Sequence, residues 1–221
     1  MIATHFARRL FLALSLSAFA LAGFAQDKPA AQEFQPEVGQ SGKDVVWVPT
    51  SQALVDRMLD LGKLTPKDFH MDLGSGDGRT VITAAKRGAT SLGIEYNPDM
   101  VALSQRNAAK EGVSARAKFV KADLFETDFS KANLITLFLL PDINLKLRPK
   151  ILDLKPGTRI VSNSFTMGEW QHDRSVQATD KEDCQSYCAA YLWIVPAKVD
   201  GAWSLPDGEL TLKQSFQMIT G

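Results

Sequence analysis

Short apolar runs alternate with amphipathic stretches along most of this chain. Phe69 to Leu73 is apolar apart from His70 and Asp72, and it predicts a strand. Thr80 through Ala85 reads as the start of a helix, and Ser91 to Tyr96 as a second strand. Asn97-Pro98-Asp99 opens the next helix, since proline suits the first helical position and acids suit the first turn. Ala117 to Ala122 is a third strand. Asn133 to Leu140 is almost continuously apolar, as expected of a central strand buried on both faces, and Pro141 stops it. A helical stretch follows from Asp142 to Leu154, where Pro149 predicts a kink or a split. Lys155-Pro156-Gly157 is a turn, and Thr158 to Ser164 a fifth strand. Leu54 to Leu61, ahead of them all, is a helical run. Strands alternating with helices predict an α/β fold: a parallel sheet with helices on both faces and ligands at the carboxyl ends of its strands.

The two ends of the chain differ from this middle. Met1 to Ala25 has a basic start at Arg8 and Arg9, an apolar run from Leu10 to Ala22, and small residues before Gln26. These are the three parts of a secretory signal peptide (1–25), predicting an exported, periplasmic or secreted protein. The run is shorter than the roughly 20 residues of a membrane span. An uncleaved N-terminal anchor is the alternative, and no membrane span is expected once the leader is removed. Residues 26–43, rich in Ala, Gln, Pro, Glu and Gly, read as a flexible linker. Residues 44–221 then form one domain. Near the other end, Tyr191 to Val199 and Glu209 to Met218 read as two strands joined by a Gly/Pro turn region.

Charge and cysteines narrow the function classes. Removing the two arginines of the leader leaves 23 basic residues against 25 acidic ones, with no basic stripe, which disfavours a nucleic-acid partner. The only cysteines are Cys184 and Cys188. In an oxidising compartment they can form a local disulfide, worth about 2 kcal/mol at best for so small a loop; otherwise they are two thiols on a helix face. No metal site is expected, because His70 and His172 lie in separate segments and zinc takes four N or S ligands.

The candidate chemistry lies at Asp72-Leu-Gly74-Ser75-Gly76-Asp77-Gly78-Arg79, between the first strand and the helix after it. Glycines there permit positive φ and close approach of backbone to a ligand, and the helix N-terminus offers N–H groups and a positive dipole end. A dinucleotide loop needs G-x-G-x-x-G, whereas Arg79 stands where its third glycine would be. A nicotinamide oxidoreductase is therefore disfavoured. Glu95, at the end of the second strand and about 20 residues beyond the loop, is placed to accept hydrogen bonds from two ribose hydroxyls.

The D-x-G-x-G-x-G loop resembles the first motif of the class I S-adenosylmethionine (SAM) methyltransferases, in which it wraps the methionine part and ribose of SAM. The resemblance implies a Rossmann-like, doubly wound, mostly parallel seven-stranded sheet. It also implies that the two C-terminal strands form an antiparallel hairpin closing that sheet, with a detached β ribbon as the alternative. Asp123 resembles the family residue that accepts from the adenine amino group, and Leu124 and Phe125 suit the adenine face. Val48-Pro49-Thr50, the helix at 54–61, DLGSGDGR, Phe138-Leu-Leu-Pro141 and Leu154-Lys-Pro-Gly-Thr-Arg-Ile-Val-Ser162 together resemble the seven-strand protein lysine methyltransferases. Those are the mitochondrial members and, more distantly, the non-SET histone enzymes. The likeness runs from about residue 46 to about residue 170.

By that analogy the segment at Val48 to Thr50 folds over the cofactor. The expected cofactor site is Thr50, Asp72, Gly74, Ser75, Gly76, Asp77, Gly78, Glu95, Tyr96, Asp123 and Leu124. The implied activity is methyl transfer from SAM to an acceptor nitrogen, with a protein lysine as the implied partner. An exported binding or structural module and a small-molecule methyltransferase are the alternatives. Phe138-Leu-Leu-Pro141 departs from the Asn-Pro-Pro-Tyr of many base-amine methyltransferases and supplies no evident catalytic base. Tyr96, Asp142, Asn163 and Trp170 lie near the expected pocket by analogy only, and each reads as structural.

Overall fold

The computed structural model describes residues 33–221; the expected leader and the first part of the expected linker lie outside the described residues. Helix α1 (Gln52–Leu61) starts at Ser51, whose Oγ accepts from the Leu54 N–H at 3.3 Å. It buries Leu54, Val55, Met58 and Leu59. Then come β1 (Phe69–Leu73), α2 (Arg79–Lys86), β2 (Thr90–Glu95), α3 (Pro98–Lys110), β3 (Ala117–Lys121), β4 (Leu134–Leu137), α4 (Pro141–Leu152) and β5 (Arg159–Asn163). Asn97 caps α3, its side chain accepting from the Asp99 N–H at 2.9 Å. The sheet closes with β6 (Arg174–Gln177) and β7 (Ala189–Ile194); β8 (Gly201–Leu205), β9 (Gly208–Ser215) and β10 (Met218–Thr220) follow.

Seven strands lie in the order β3-β2-β1-β4-β5-β7-β6. The first five pair in parallel, and β7 is antiparallel to both β5 and β6. Alternation along β4 and β5 shows that both faces are covered. Ile135, Leu137 and Ile160 pack with Ile143, Leu147 and Ile151 of α4. Leu134 and Val161, turned the other way, pack with α1.

Four expectations need correction. The strand that closes the sheet beside β7 is Arg174–Gln177, not Glu209 to Met218, which lies in the separate sheet β10-β9-β8. Strand β6 is an exposed edge with no apolar run to betray it. The fourth strand ends at Leu137, and Phe138 to Leu140 leave the sheet. Helix α4 runs through Pro149 as one helix. The proline lies close to the C-terminal end, and the residue that loses its hydrogen-bond donor, Leu145, is exposed. Finally, residues 37–43 are not a linker. Gly39 N–H donates to Trp47 O (2.8 Å) and Trp47 N–H to Gln40 O (2.9 Å), folding this arm back on itself.

Candidate active site

A cavity opens at the carboxyl ends of β1, β2 and β4. It is lined by the glycine loop, by Glu95, Tyr96, Asp123 and Leu124, and by the arm from Gln40 to Thr50. Every expected cofactor residue except Gly78 lines it. Gly78 instead starts α2 at φ 84°, and a Cβ there would stand 2.8 Å from the Phe119 ring and 2.9 Å from Ser104 Cβ. Its role is to seat the helix against β3. Gly76 is the glycine that admits the arm: at φ 53°, a Cβ would meet Trp47 Nε1 at 2.7 Å.

The loop is held by hydrogen bonds within the protein. Gly74 and Ser75 N–H both donate to Ile94 O, at 2.9 and 3.0 Å, and Gly78 N–H donates to Ser75 O at 2.9 Å. Gly76 N–H donates to Glu95 Oε2 at 2.9 Å, and Ser104 Oγ donates to Gly76 O at 2.8 Å. These N–H groups therefore hold the shape of the loop. Asp77 is engaged as well: its carboxylate takes Arg79 Nε and Nη2, the latter at 2.6 Å, while Arg79 Nη1 donates to Thr50 O at 2.7 Å. That clamp, with Asn163 Nδ2 donating to Thr50 Oγ1 at 3.1 Å, fixes Thr50 over the loop.

The two acids expected to hold the nucleoside are fixed before any ligand. Glu95 accepts Gly76 N–H on one oxygen and Asn97 N–H (2.9 Å) on the other, leaving a lone pair on each for a diol. Asp123 accepts from the Lys43 ammonium at 2.5 Å and from Phe125 N–H at 2.9 Å; both partners hold its carboxyl below the ordinary carboxylate range. Lys43 also stands 4.9 Å from the Tyr96 ring centroid. The arm thus reaches across the place where adenine is expected.

Behind the loop runs a buried chain of hydrogen bonds. Thr136 has one hydroxyl proton, which it donates to Asp72 Oδ1 at 2.5 Å. His70 Nε2 therefore donates to Thr136 Oγ1 (2.8 Å), and His70 Nδ1 accepts from Ser91 Oγ (2.6 Å). Burial drives the His70 pKa down to about 3, which keeps the ring neutral. Burial also pushes the Asp72 carboxyl up to about 7, against the Thr136 hydrogen bond and with help from the Asp77 and Glu95 charges.

Of the residues placed near the pocket by analogy only, Tyr96 lines it. Asn163 acts through Thr50. Trp170 is buried in the core against Trp193, and Asp142 lies in the first turn of α4. Sequence reasoning missed Gln40, Lys43, Trp47, Phe165 and Tyr187, all of which line the cavity. A lone tryptophan between a polar stretch and the first helix was the available signal for the arm.

The cavity fits SAM. Glu95 and Asp123 offer acceptors at neighbouring strand ends, and Tyr96 and Leu124 line the same cavity beside the glycine loop.

Comparison with known proteins agrees. A family model for the ANTKMT methyltransferase domain matches residues 72–174. A protein-lysine N-methyltransferase of Saccharolobus islandicus (strain REY15A) is 39% identical over 154 residues, covering 68% of this chain and 94% of that protein. The Mus musculus adenine nucleotide translocase lysine N-methyltransferase is 33% identical over 129 residues, covering 58% of this chain and 56% of that protein. The crystal structure of an RNA methyltransferase from Salinibacter ruber in complex with S-adenosyl-L-homocysteine superposes with a TM-score of 0.63 at 44% identity. It covers 69% of this chain and 96% of that one. A glycine loop after β1, acids at the ends of β2 and beyond β3, and a relative matched over nearly its whole length lead to one conclusion: the chain belongs to the protein-lysine N-methyltransferase family of the class I SAM-dependent methyltransferases.

Proposed function

We propose that this protein methylates the side-chain amine of a protein lysine, and that it does so after export from the cytoplasm. The observation that carries the acceptor reading is the shape of the cavity. Its nucleoside end holds Glu95 and Asp123, and its other end is apolar, built from Phe138, Leu139, Leu140, Phe165 and Tyr187. An alkyl stem ending in an amine suits such an end. The protein-lysine enzymes among its relatives support the same reading.

SAM, when bound, supplies a methyl group on a positively charged sulfur. The chain supplies position. Glu95 and Asp123 anchor the nucleoside, the glycine loop sets how closely it lies, and the arm with Trp47 and Thr50 covers it. The segment after β4 dries the acceptor end without offering a carboxylate or imidazole as base. Orientation and exclusion of water thus do most of the work, and effective molarities in aligned reactions show how much that can be. The acceptor ammonium gives up its proton to bulk water before its stem enters the dried end, and it reacts there as the neutral amine.

Export rests on the leader at residues 1–25 and is supported by the Cys184–Cys188 disulfide. Among the described residues no helix is long and apolar enough to cross a membrane.

The test is transfer from methyl-labelled SAM to poly-L-lysine and, separately, to RNA. Label recovered as N-methyl-lysine supports the proposal. Label in RNA alone would replace it with the activity for which the Salinibacter protein is named. Bound SAM with no transfer to either would favour the binding-module reading.

A further inference from the structure

Three aromatic rings meet at the apolar end of the cavity, from three separate segments. Phe138 follows β4, Phe165 follows β5, and Tyr187 precedes β7. Because β7 runs antiparallel to β5, its start lies beside the end of β5, and Ser164 N–H donates to Ala189 O at 2.8 Å. The ring centroids are 6.0 Å apart for Phe138 and Phe165, 5.2 Å for Phe138 and Tyr187, and 6.0 Å for Phe165 and Tyr187. All three line the same cavity as Glu95 and the glycine loop.

Tyr187 is held in an unusual way. Its φ is 55°, a left-handed conformation that bulky residues rarely adopt, and the residue remains 46% exposed. Its ring packs on Phe138 and Phe165, and its backbone lies inside a covalent loop: Cys184 and Cys188 bracket Tyr187 in a closed five-residue ring of chain. Cys184 is buried in the core beneath α1, and Ala178 N–H donates to Cys188 O at 2.8 Å. Arg57 of α1 pairs with Glu182 at the other side of the loop, Nε donating at 2.8 Å. Backbone strain fixed by its surroundings is characteristic of ligand clamps.

We propose that Phe138, Phe165 and Tyr187 form the acceptor pocket for an alkylamine side chain, and that the Cys184–Cys188 bridge sets one wall of it by holding Tyr187 in place. The proposal rests on the lysine reading above and assigns it a location. Ring faces bury the aliphatic stem and attract the ammonium by cation–π interaction. A mono- or dimethylated ammonium keeps its charge and its attraction to the rings, and it can take a further methyl only after losing its proton to water.

The test uses the full chain, poly-L-lysine as acceptor at saturating SAM, and calorimetry with S-adenosylhomocysteine on the same preparations. Tyr187→Ala raises the KM for polylysine by at least about fivefold, in line with loss of a cation–π and stem contact, and leaves S-adenosylhomocysteine affinity unchanged. Tyr187→Phe, which keeps the ring, recovers most of that loss. The double variant Cys184→Ser with Cys188→Ser follows Tyr187→Ala to a smaller degree. Because Cys184 is buried, the exposed Tyr187 variants carry the test if the double variant does not fold. An unchanged KM in Tyr187→Ala overturns the pocket, as does a matching loss of cofactor affinity, which would move Tyr187 to the cofactor site. A folded double variant with the parent KM overturns the role of the bridge. Parent protein that binds S-adenosylhomocysteine but methylates no amine marks failure of the lysine reading itself, seen before any variant is made.

Discussion

Glu95 ties the glycine loop to the start of α3 and keeps a lone pair on each carboxylate oxygen, which we propose accepts from the ribose hydroxyls. Glu95→Ala should weaken SAM binding by at least about tenfold, since hydrogen bonds to a charged group contribute roughly 1.5–3 kcal/mol each. Unchanged affinity by calorimetry would remove Glu95 from the site. Asp72 gives a pH signature. Burial pushes its carboxyl up to about 7, and SAM carries a sulfonium and an ammonium that favour an ionised neighbour. Affinity should rise as pH increases through about 7, and Asp72→Asn should flatten that rise; a slope unaltered by Asp72→Asn would contradict the assignment. The signs for stability are opposed. The folded pKa of Asp72 is raised from 3.8, so stability falls as pH rises from about 4 to about 7. The folded pKa of His70 is depressed from 6.5 to about 3, so its contribution is lost as pH falls through that range. At this scale the acids were legible, because each sits at a strand end at a spacing that suits a nucleoside. The rings of Phe165 and Tyr187 were not. They become neighbours only through the antiparallel pairing of β7, which no local pattern encodes.

Among the elements, the glycine loop has two masters. Gly74 and Gly76 face the cavity, whereas Gly78 serves the packing of α2 on β3, a division invisible in D-x-G-x-G-x-G itself. Gly78→Ala should therefore lower unfolding stability by about 1–3 kcal/mol through overpacking against Phe119, with further cost from its positive φ. Chemical denaturation measures this, and a wild-type midpoint would contradict it. The central strand β4 was readable because burial on both faces demands a nearly unbroken apolar run, and β1 to β3 were readable as short, mostly apolar segments set between helical ones. The edge strand β6 was not, since Arg174-Ser-Val-Gln177 is exposed and polar. The arm at residues 37–50 escaped for a related reason. Its composition suits a linker, and it is ordered by backbone hydrogen bonds to Trp47 and by the long-range pairs Lys43–Asp123 and Arg79–Thr50.

For the whole molecule, the order β3-β2-β1-β4-β5-β7-β6 brings every site residue to one edge of the sheet. Loop, acids and rings come from the carboxyl ends of parallel strands and the amino end of the one antiparallel strand beside them. Helices on both faces leave that edge as the place for a ligand. Export would put the Cys184–Cys188 pair in an oxidising compartment, and non-reducing mass spectrometry of protein made in an exporting host should find the bridge. Two free thiols there would contradict it. Isothermal calorimetry of the full chain with SAM and with S-adenosylhomocysteine decides whether this edge is a working SAM site. Saturable binding of both at micromolar concentration or tighter is expected. Folded protein that gives no binding to either would contradict it, leaving the glycine loop and its acids as ancestry without function.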